Sequence, residues 1–147
     1  MKKMLSLRNR ALGLLARREH ARTELAQKLT PYTDDTVEIT ALLDEFEWRG
    51  FLSDARFAAE YVRAKSRRFG AAYIAYALRE KGVSQEAVTE ALSALEDGEL
   101  ERARLVWQAK FGTLPASLEE RGKQTRFLSG RGFSSEIIRK VLRSGDD

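Results

Sequence analysis

Apolar residues recur along the chain with the spacing of an amphipathic helix. Runs at i, i+3, i+4 and i+7 place their side chains on one face of a helix, whereas a strand would need alternation of period two. The stripes are Ile39, Leu42, Leu43 and Phe46; Val88, Leu92 and Leu95; Leu100, Ala103, Trp107 and Phe111; and Ile138, Val141 and Leu142. Because no segment shows sustained alternation, the pattern predicts an all-α protein.

The predicted helices end at a recurring signal, in which a cation, a glycine and an apolar residue follow one another. The three copies are Arg49-Gly50-Phe51, Lys81-Gly82-Val83 and Arg131-Gly132-Phe133. The cation suits the negative end of the helix dipole, and glycine adopts the left-handed conformation that closes a helix. A serine stands next or one residue later in each copy and predicts the N-cap of the following helix. A second stop recurs as Arg68-Phe69-Gly70 and Lys110-Phe111-Gly112.

These signals belong to an internal repeat. The segment from Lys81 to Leu92 reads KGVSQEAVTEAL, and that from Arg131 to Leu142 reads RGFSSEIIRKVL, at an offset of 50 residues. A three-helix unit of this size buries its apolar face only by stacking on a neighbour. We therefore predict three tandem three-helix repeats, 1–52, 53–96 and 97–147, forming one continuous, elongated and curved array. A single globular bundle with coincidental periodicity is the alternative.

The composition excludes several kinds of site. Among the 147 residues there is no cysteine and one histidine, which excludes disulfides, thiolate zinc sites and histidine metal clusters. No glycine loop of the G-x-x-x-x-G-K type occurs, so ATP hydrolysis by the chain itself is not expected. We expect no catalytic residues, no metal and no cofactor.

The hydropathy and charge bear on location and partners. No apolar run approaches the ~20 residues of a membrane span, and the N-terminal lysines precede a stretch broken at Arg8, Asn9 and Arg10, unlike a secretory signal. We expect a cytoplasmic protein with no membrane contact. The net charge is +4, and residues 101–147 hold ten Lys/Arg against six Asp/Glu. This balance mildly favours a polyanionic partner.

Four segments resemble the RecX family of bacterial recombination regulators. They are RREHARTELAQKL from Arg17, RGFLSDARFAAEYVR from Arg49, GAAYIAYALREKGV from Gly70 and RFLSGRGFSSEIIRKVL from Arg126. The resemblance spans about residues 10–143, with the motifs in family order and spacing. One motif alone would be weak, but four in register are specific.

The resemblance implies a fold and a function. The family has nine helices in tandem three-helix repeats. Its members bind RecA and RecA–DNA filaments and restrain filament extension, ATP hydrolysis, strand exchange and the coprotease activity behind the SOS response. We accordingly expect a monomeric, non-enzymatic binder of the recombinase filament and of DNA within it, with weak binding to free DNA possible.

One position departs from the family pattern. Ala21 stands where family members often have serine, which with Glu24 would form a capping box. Loss of such a cap costs about 0.5–2 kcal/mol. The substitution predicts a less stable start of the second helix.

Basic residues are the candidate contacts to recombinase or DNA. The densest run holds Arg63, Lys65, Arg67 and Arg68, and Arg63 and Arg67 share a helix face. The other candidates are Arg17, Arg18, Arg22, Arg79, Arg126, Arg131, Arg139 and Lys140. Phosphates or an acidic protein surface would attract these side chains, although solvated surface positions would have the same composition.

The histidine and the aromatic residues have simpler interpretations. His20 is expected to cap or pack where two helices meet. Trp48, Trp107, Tyr61, Tyr73, Tyr76 and Phe127 are expected to pack in the core rather than to stack on bases.

A stand-alone helical DNA-binding module, such as a transcription regulator, is the alternative function. Three-helix units can resemble helix-turn-helix folds. No single helix of this chain concentrates Arg, Asn and Gln as a recognition helix does, which argues mildly against it.

Overall fold

The computed structural model describes residues 5–95 and 97–143, and within these ranges the chain is helical without any strand. The helices are α1 Leu7–Arg17, α2 Arg22–Leu29, α3 Thr36–Trp48, α4 Asp54–Lys65, α5 Ala71–Glu80, α6 Gln85–Ser93, α7 Glu99–Lys110, α8 Leu118–Gly130 and α9 Ser135–Val141, with a 3-10 turn at Thr30–Tyr32. The all-α prediction is confirmed. No helix in the described ranges is long and apolar enough to cross a membrane.

The glycine stop signals close helices as predicted. Gly82 and Gly132 have positive φ angles of 83° and 94°, which glycine adopts without a Cβ penalty. The next residue folds back in each case, so that the Val83 N–H donates to the Leu78 carbonyl at 3.1 Å and the Phe133 N–H to the Leu128 carbonyl at 3.2 Å. This bonding pattern satisfies carbonyls that the helix end leaves free.

The predicted serine caps are also confirmed. The Ser53 hydroxyl accepts the Arg56 N–H at 3.1 Å, that of Ser84 accepts the Ala87 N–H at 3.2 Å, and that of Ser134 accepts the Ile137 N–H at 3.2 Å. Each serine thus begins the helix that follows a stop.

The packing divides the chain into two compact units. The first unit comprises Met1–Glu60 with Leu78–Val88, and the second comprises Tyr61–Ala77 with Thr89–Asp147. The predicted middle repeat therefore contributes residues to both units. The repeat boundaries themselves stay a prediction.

Each unit has an apolar core drawn in part from the predicted stripes. In the first unit, Ile39, Leu43 and Phe46 of α3 pack with Leu25 and Leu29 of α2. In the second, the core joins α7, α8 and α9 through Ala103, Val106, Leu128, Phe133, Ile138, Val141 and Leu142. Burial on one helix face is what the spacing predicted.

Three of the aromatic residues expected in the core are exposed, and that prediction was wrong for them. Trp48 is 85% exposed, Tyr76 is 63% exposed and Tyr73 is 36% exposed. Trp48 follows the buried Phe46 by two residues, and Tyr76 follows the buried Ile74 by two. At 3.6 residues per turn a two-residue step leads to the opposite side of a helix, so both rings face solvent.

In the first unit, the α5–α6 turn and the start of α4 meet the start of α2. Gly82 lies against Thr23, and a Cβ at this glycine would overlap the threonine side chain. The Asp54 carboxylate accepts the Arg22 N–H at 2.8 Å. Asp54 thus supplies an acceptor at the helix start where Ala21 has no side-chain oxygen. Glu24 retains half of the capping box, since its carboxylate accepts the Ala21 N–H at 3.3 Å.

The second unit repeats this joint one period later. Gly132 lies against Tyr73, and a Cβ at this glycine would stand 2.5 Å from the Tyr73 amide nitrogen. The Glu99 carboxylate accepts the Ala71 N–H at 2.8 Å, as Asp54 does for Arg22. The Gly82–Thr23 and Gly132–Tyr73 contacts are related by the 50-residue offset of the sequence repeat. One joint is therefore built twice, once inside each unit.

His20 lies in the core of the first unit, at 1% exposure. Its Nδ1 stands 3.0 Å from the Arg18 carbonyl and its Nε2 stands 3.0 Å from Lys28 Nζ. A neutral ring fits both contacts, with Nδ1–H donating to the carbonyl and Nε2 accepting from the ammonium. Burial lowers the pKa of His20 below its ordinary value of 6.5, and the charges of Arg18 and Lys28 lower it further.

We predict that Gly132→Ala destabilises the chain by roughly 1–3 kcal/mol, because it forces a side chain into the left-handed region and against Tyr73. Gly130→Ala is the matched control, since a Cβ at Gly130 meets nothing within 4 Å. The control should be neutral or more stable by about 0.5–1 kcal/mol. Urea unfolding followed by circular dichroism measures both, and equal midpoints would contradict the seating of Gly132.

We also predict that His20 makes stability depend on pH. A lowered folded pKa means that the unfolded chain binds the extra proton first, so stability is complete above about pH 6.5 and is lost as the pH falls toward the folded pKa. His20→Gln removes this titration and should flatten the urea midpoint between about pH 7.5 and about pH 5.5. Burial raises the pKa of Glu24, but its pairing with Arg18 and its bond to the Ala21 N–H lower the pKa overall, so Glu24 titrates below this window. If the urea midpoints of the wild type and of His20→Gln change with pH in parallel, His20 is excluded as the cause of the pH dependence.

A candidate cationic groove in the second unit

Four cations converge on one groove of the second unit. Arg67 and Arg68 follow α4, Lys110 ends α7, and Arg131 follows α8. The groove encloses about 610 Å³ and is lined further by Phe69, Leu105, Val106, Ala109 and Phe127. We call it the second-unit groove.

Arg131 is held in place by two rings and a backbone contact. Its guanidinium lies 5.1 Å from the centre of the Phe69 ring and 5.0 Å from that of Phe127. Its Nη1 donates to the Arg68 carbonyl at 3.3 Å. Phe69 is itself stacked on Tyr73 at 3.9 Å. A planar cation fixed in this way loses little rotamer freedom when it binds an anion.

The floor of the groove is apolar. Val106 is buried in the core of the second unit, whereas Leu105 is 68% exposed. Lys110 Nζ lies 5.6 Å from the centre of the Phe127 ring, so its charge stands beside apolar surface. The groove therefore combines positive charge with an accessible aliphatic patch.

Within residues 5–95 and 97–143 the four cations have no carboxylate partner. Nearby arginines of α7 do, since Arg102 pairs with Glu99 at 3.8 Å and Arg104 with Glu101 at 2.9 Å. Among the residues that the structure describes, no acidic oxygen lies within 4.0 Å of the groove's cations. Uncompensated charges near one another attract an anionic ligand and speed its encounter.

The lining residues include no Ser, Thr, Cys, His, Asp or Glu. Apart from the amine of Lys110, the lining side chains offer no nucleophile or general base. Across the described residues no group of three or more acidic or histidine side chains could hold a metal ion. The arrangement is suited to binding an anionic surface with an apolar part.

Comparison with known proteins decides the family. Residues 53–92 match the family described as RecX, second three-helix domain, and residues 97–142 match RecX, third three-helix domain. A protein of Leptothrix cholodnii named Regulatory protein RecX is 51% identical over 97% of this chain and 90% of its own length. The chain belongs to the RecX family.

Further relatives agree with this membership. The Regulatory protein RecX of Chromobacterium violaceum is 43% identical over 97% of this chain and 92% of its own length. The crystal structure of RecX from Lactobacillus salivarius has a TM-score of 0.79 at 21% identity and covers 92% of each chain. At that identity the likeness concerns the fold, and it confirms the predicted array of helical repeats.

The structure of this RecX-family member brings together only part of the predicted contact set. Arg67, Arg68 and Arg131 line the second-unit groove. Arg63 and Lys65 lie in the last turn of α4 and do not line it. Lys65 Nζ instead stands 5.6 Å from the centre of the Tyr61 ring.

Two predicted contacts in the first unit are engaged with carboxylates. Arg18 makes two hydrogen bonds to Glu24, of 3.2 and 2.7 Å, and this pairing raises the pKa of the guanidinium. Arg22 pairs with Asp44 at 2.8 Å and with Glu47. An arginine already satisfied inside the fold has less to offer a partner, so the structure favours a structural role for both.

The remaining predicted contacts are exposed but scattered. Arg79 donates to Gln85 at 2.8 Å, and Lys140 lies 3.5 Å from Glu136 within α9. Arg126 on α8 and Arg139 on α9 are exposed and do not line the second-unit groove. Arg17 lies in the first unit, at the end of α1.

Lys110 is the groove cation that the sequence prediction missed. The sequence did contain a pattern that points to Lys110, because Lys110-Phe111-Gly112 repeats the helix stop Arg68-Phe69-Gly70. Both stops end a helix, and both place their cation at the groove. The shared pattern, rather than local charge density, would have identified it.

Proposed function

We propose that this family member binds the RecA recombinase filament, together with DNA inside it, and restrains ATP hydrolysis, strand exchange and the SOS coprotease activity. The second-unit groove carries the proposal, because four uncompensated cations stand there over an apolar floor. Family membership supports it, since the relatives are named regulatory proteins. A role as a binder rather than an enzyme, and a cytoplasmic location, are parts of the proposal.

The proposed mechanism is a shift in filament conformation. A ligand that binds one conformation more tightly moves the population toward it by its difference in affinity. If the favoured conformation cannot cycle or extend, ATP turnover and strand exchange fall. The chain has no phosphate-binding glycine loop, so any effect on hydrolysis acts through the recombinase.

The alternative, a stand-alone DNA-binding module, receives less support from the groove. Reading adenine in the major groove uses Asn or Gln, and neither residue lines this groove. Arginine and lysine can contact guanine as well as phosphate, but their combination with an apolar floor suits a protein surface better. Tight, sequence-selective binding to free duplex DNA would favour the alternative.

The test is recombinase ATPase activity on single-stranded DNA, with the chain added in increasing amounts. We expect the wild-type chain to lower the rate, and Arg67→Glu with Arg68→Glu to raise the half-inhibiting concentration about tenfold or more, which corresponds to about 1.4 kcal/mol of binding. Reversal of two groove charges both removes attraction and adds repulsion, so binding should also become less dependent on salt.

The matched control is Arg121→Glu with Lys123→Glu, which makes the same charge change on α8 outside the groove. It should inhibit as the wild type does. An unchanged ATPase rate, at concentrations where co-sedimentation demonstrates binding, would contradict the inhibitory function. Equally weakened inhibition in both double variants would assign the effect to net charge instead of the groove.

A further inference from the structure

The first unit contains a second cationic groove. It lies between α1, the end of α2 and the Thr30–Tyr32 turn, and it encloses about 380 Å³. Its cations are Arg10 and Arg17 of α1 and Lys28 of α2. We call it the first-unit groove.

Ion pairing in the first unit distinguishes these cations from most of its other arginines. Five arginines of the unit lie within 4.0 Å of a carboxylate, namely Arg8, Arg18, Arg22, Arg49 and Arg56, whereas Arg79 donates to the Gln85 side chain. Among the side chains that the structure describes, no carboxylate comes that close to Arg10, Arg17 or Lys28. Three uncompensated charges therefore face one cavity, where an external anion would neutralise them.

The cations are positioned by neighbours that carry no negative charge. The Arg10 guanidinium lies 3.8 Å from the centre of the Tyr32 ring. Lys28 Nζ lies 3.0 Å from Nε2 of the buried His20. Neither contact cancels the charge, so both leave it available to a ligand.

Tyr32 distinguishes this groove from the one in the second unit. The ring is 54% exposed, whereas Phe69 and Phe127 are covered by Arg131, Tyr73, Lys110 and Phe111. An exposed aromatic ring beside cations is the arrangement on which unpaired bases stack while their phosphates are neutralised. Bases of a duplex are already stacked, and the carboxylates of an acidic peptide do not stack on a ring as an unpaired base does.

We propose that the first-unit groove binds single-stranded nucleic acid, with phosphates at Arg17 and Lys28 and a base on the Arg10–Tyr32 pair. The strand held by a recombinase filament is its ligand under the proposed function. The site itself needs no recombinase. It is thus a binding site separate from the second-unit groove and testable without it.

The probe is a short fluorescein-labelled oligothymidylate, whose anisotropy reports binding to the full chain at low salt. Tyr32→Ala should weaken binding about 5- to 150-fold, the range for removal of one stacked base. Tyr32→Phe keeps the ring and should retain most of the affinity. Arg17→Glu should weaken binding and reduce the salt slope by about 0.7 for each phosphate that the side chain no longer neutralises.

Arg121→Glu is the matched control, because it reverses an exposed charge on α8 outside both grooves. It should bind like the wild type. Arg17 is exposed and has no carboxylate within 4.0 Å in the described chain, so its variant tests the site even if Tyr32→Ala fails to fold. Circular dichroism checks the fold of each variant.

The outcomes separate the candidate ligands. Weaker binding of a duplex of the same length, together with weaker oligothymidylate binding by Tyr32→Ala, supports a single-strand site. Unchanged affinity in both Tyr32→Ala and Arg17→Glu overturns it. The proposal is also overturned if poly-glutamate displaces the oligothymidylate as effectively as unlabelled oligothymidylate does and if Tyr32→Ala leaves the affinity unchanged. That result would assign the groove to an acidic peptide. Oligonucleotide binding without any effect on recombinase ATPase would contradict the proposed function and leave this site standing.

Discussion

The fold depends on one joint, which the chain makes once in each compact unit. The turn after α5 places Gly82 against the start of α2, and the turn after α8 places Gly132 against the start of α5. Both contacts are too close for a side chain at the glycine. At the start of α2, the free N–H of Arg22 donates to the Asp54 carboxylate of α4. At the start of α5, the free N–H of Ala71 donates to the Glu99 carboxylate of α7. Steric closeness and helix capping thus stabilise the same contact. A three-helix repeat that buries little surface alone acquires a defined neighbour in this way.

The second-unit groove is a consequence of this joint. Seating Gly132 against Tyr73 brings the Arg131 carbonyl to the Gly70 N–H, at 2.7 Å. The Arg131 side chain then lies between the rings of Phe69 and Phe127, and its charge joins those of Arg67, Arg68 and Lys110. The stop signal cation-glycine-apolar therefore has two functions at this position. Its glycine makes the joint, and its cation lines the groove.

The sequence predicted what is local, and it failed where tertiary packing selects partners. Gly82, Gly132, Ser84 and Ser134 act through bonds within a few residues, so their pattern was sufficient. The ion pairs of Arg22 could not be predicted from the sequence, because Asp44 and Glu47 come close to it only once α3 has packed on α2. Lys110 joins Arg67 and Arg68 from more than 40 residues away. The prediction that Trp48 is buried failed for a different reason, because the helical period places Trp48 on the side of α3 opposite Phe46.

The end of a repeat's first helix is cationic in all three repeats, at Arg17, Lys65 and Lys110. A cation there is favoured by the helix dipole before any ligand is considered. At the ends of α1 and α7 this position lines a groove that has no carboxylate among its lining residues, so the charge that stabilises the helix end is also available to a ligand. Repetition of one helix-end pattern is therefore sufficient to place cations at a groove inside each unit.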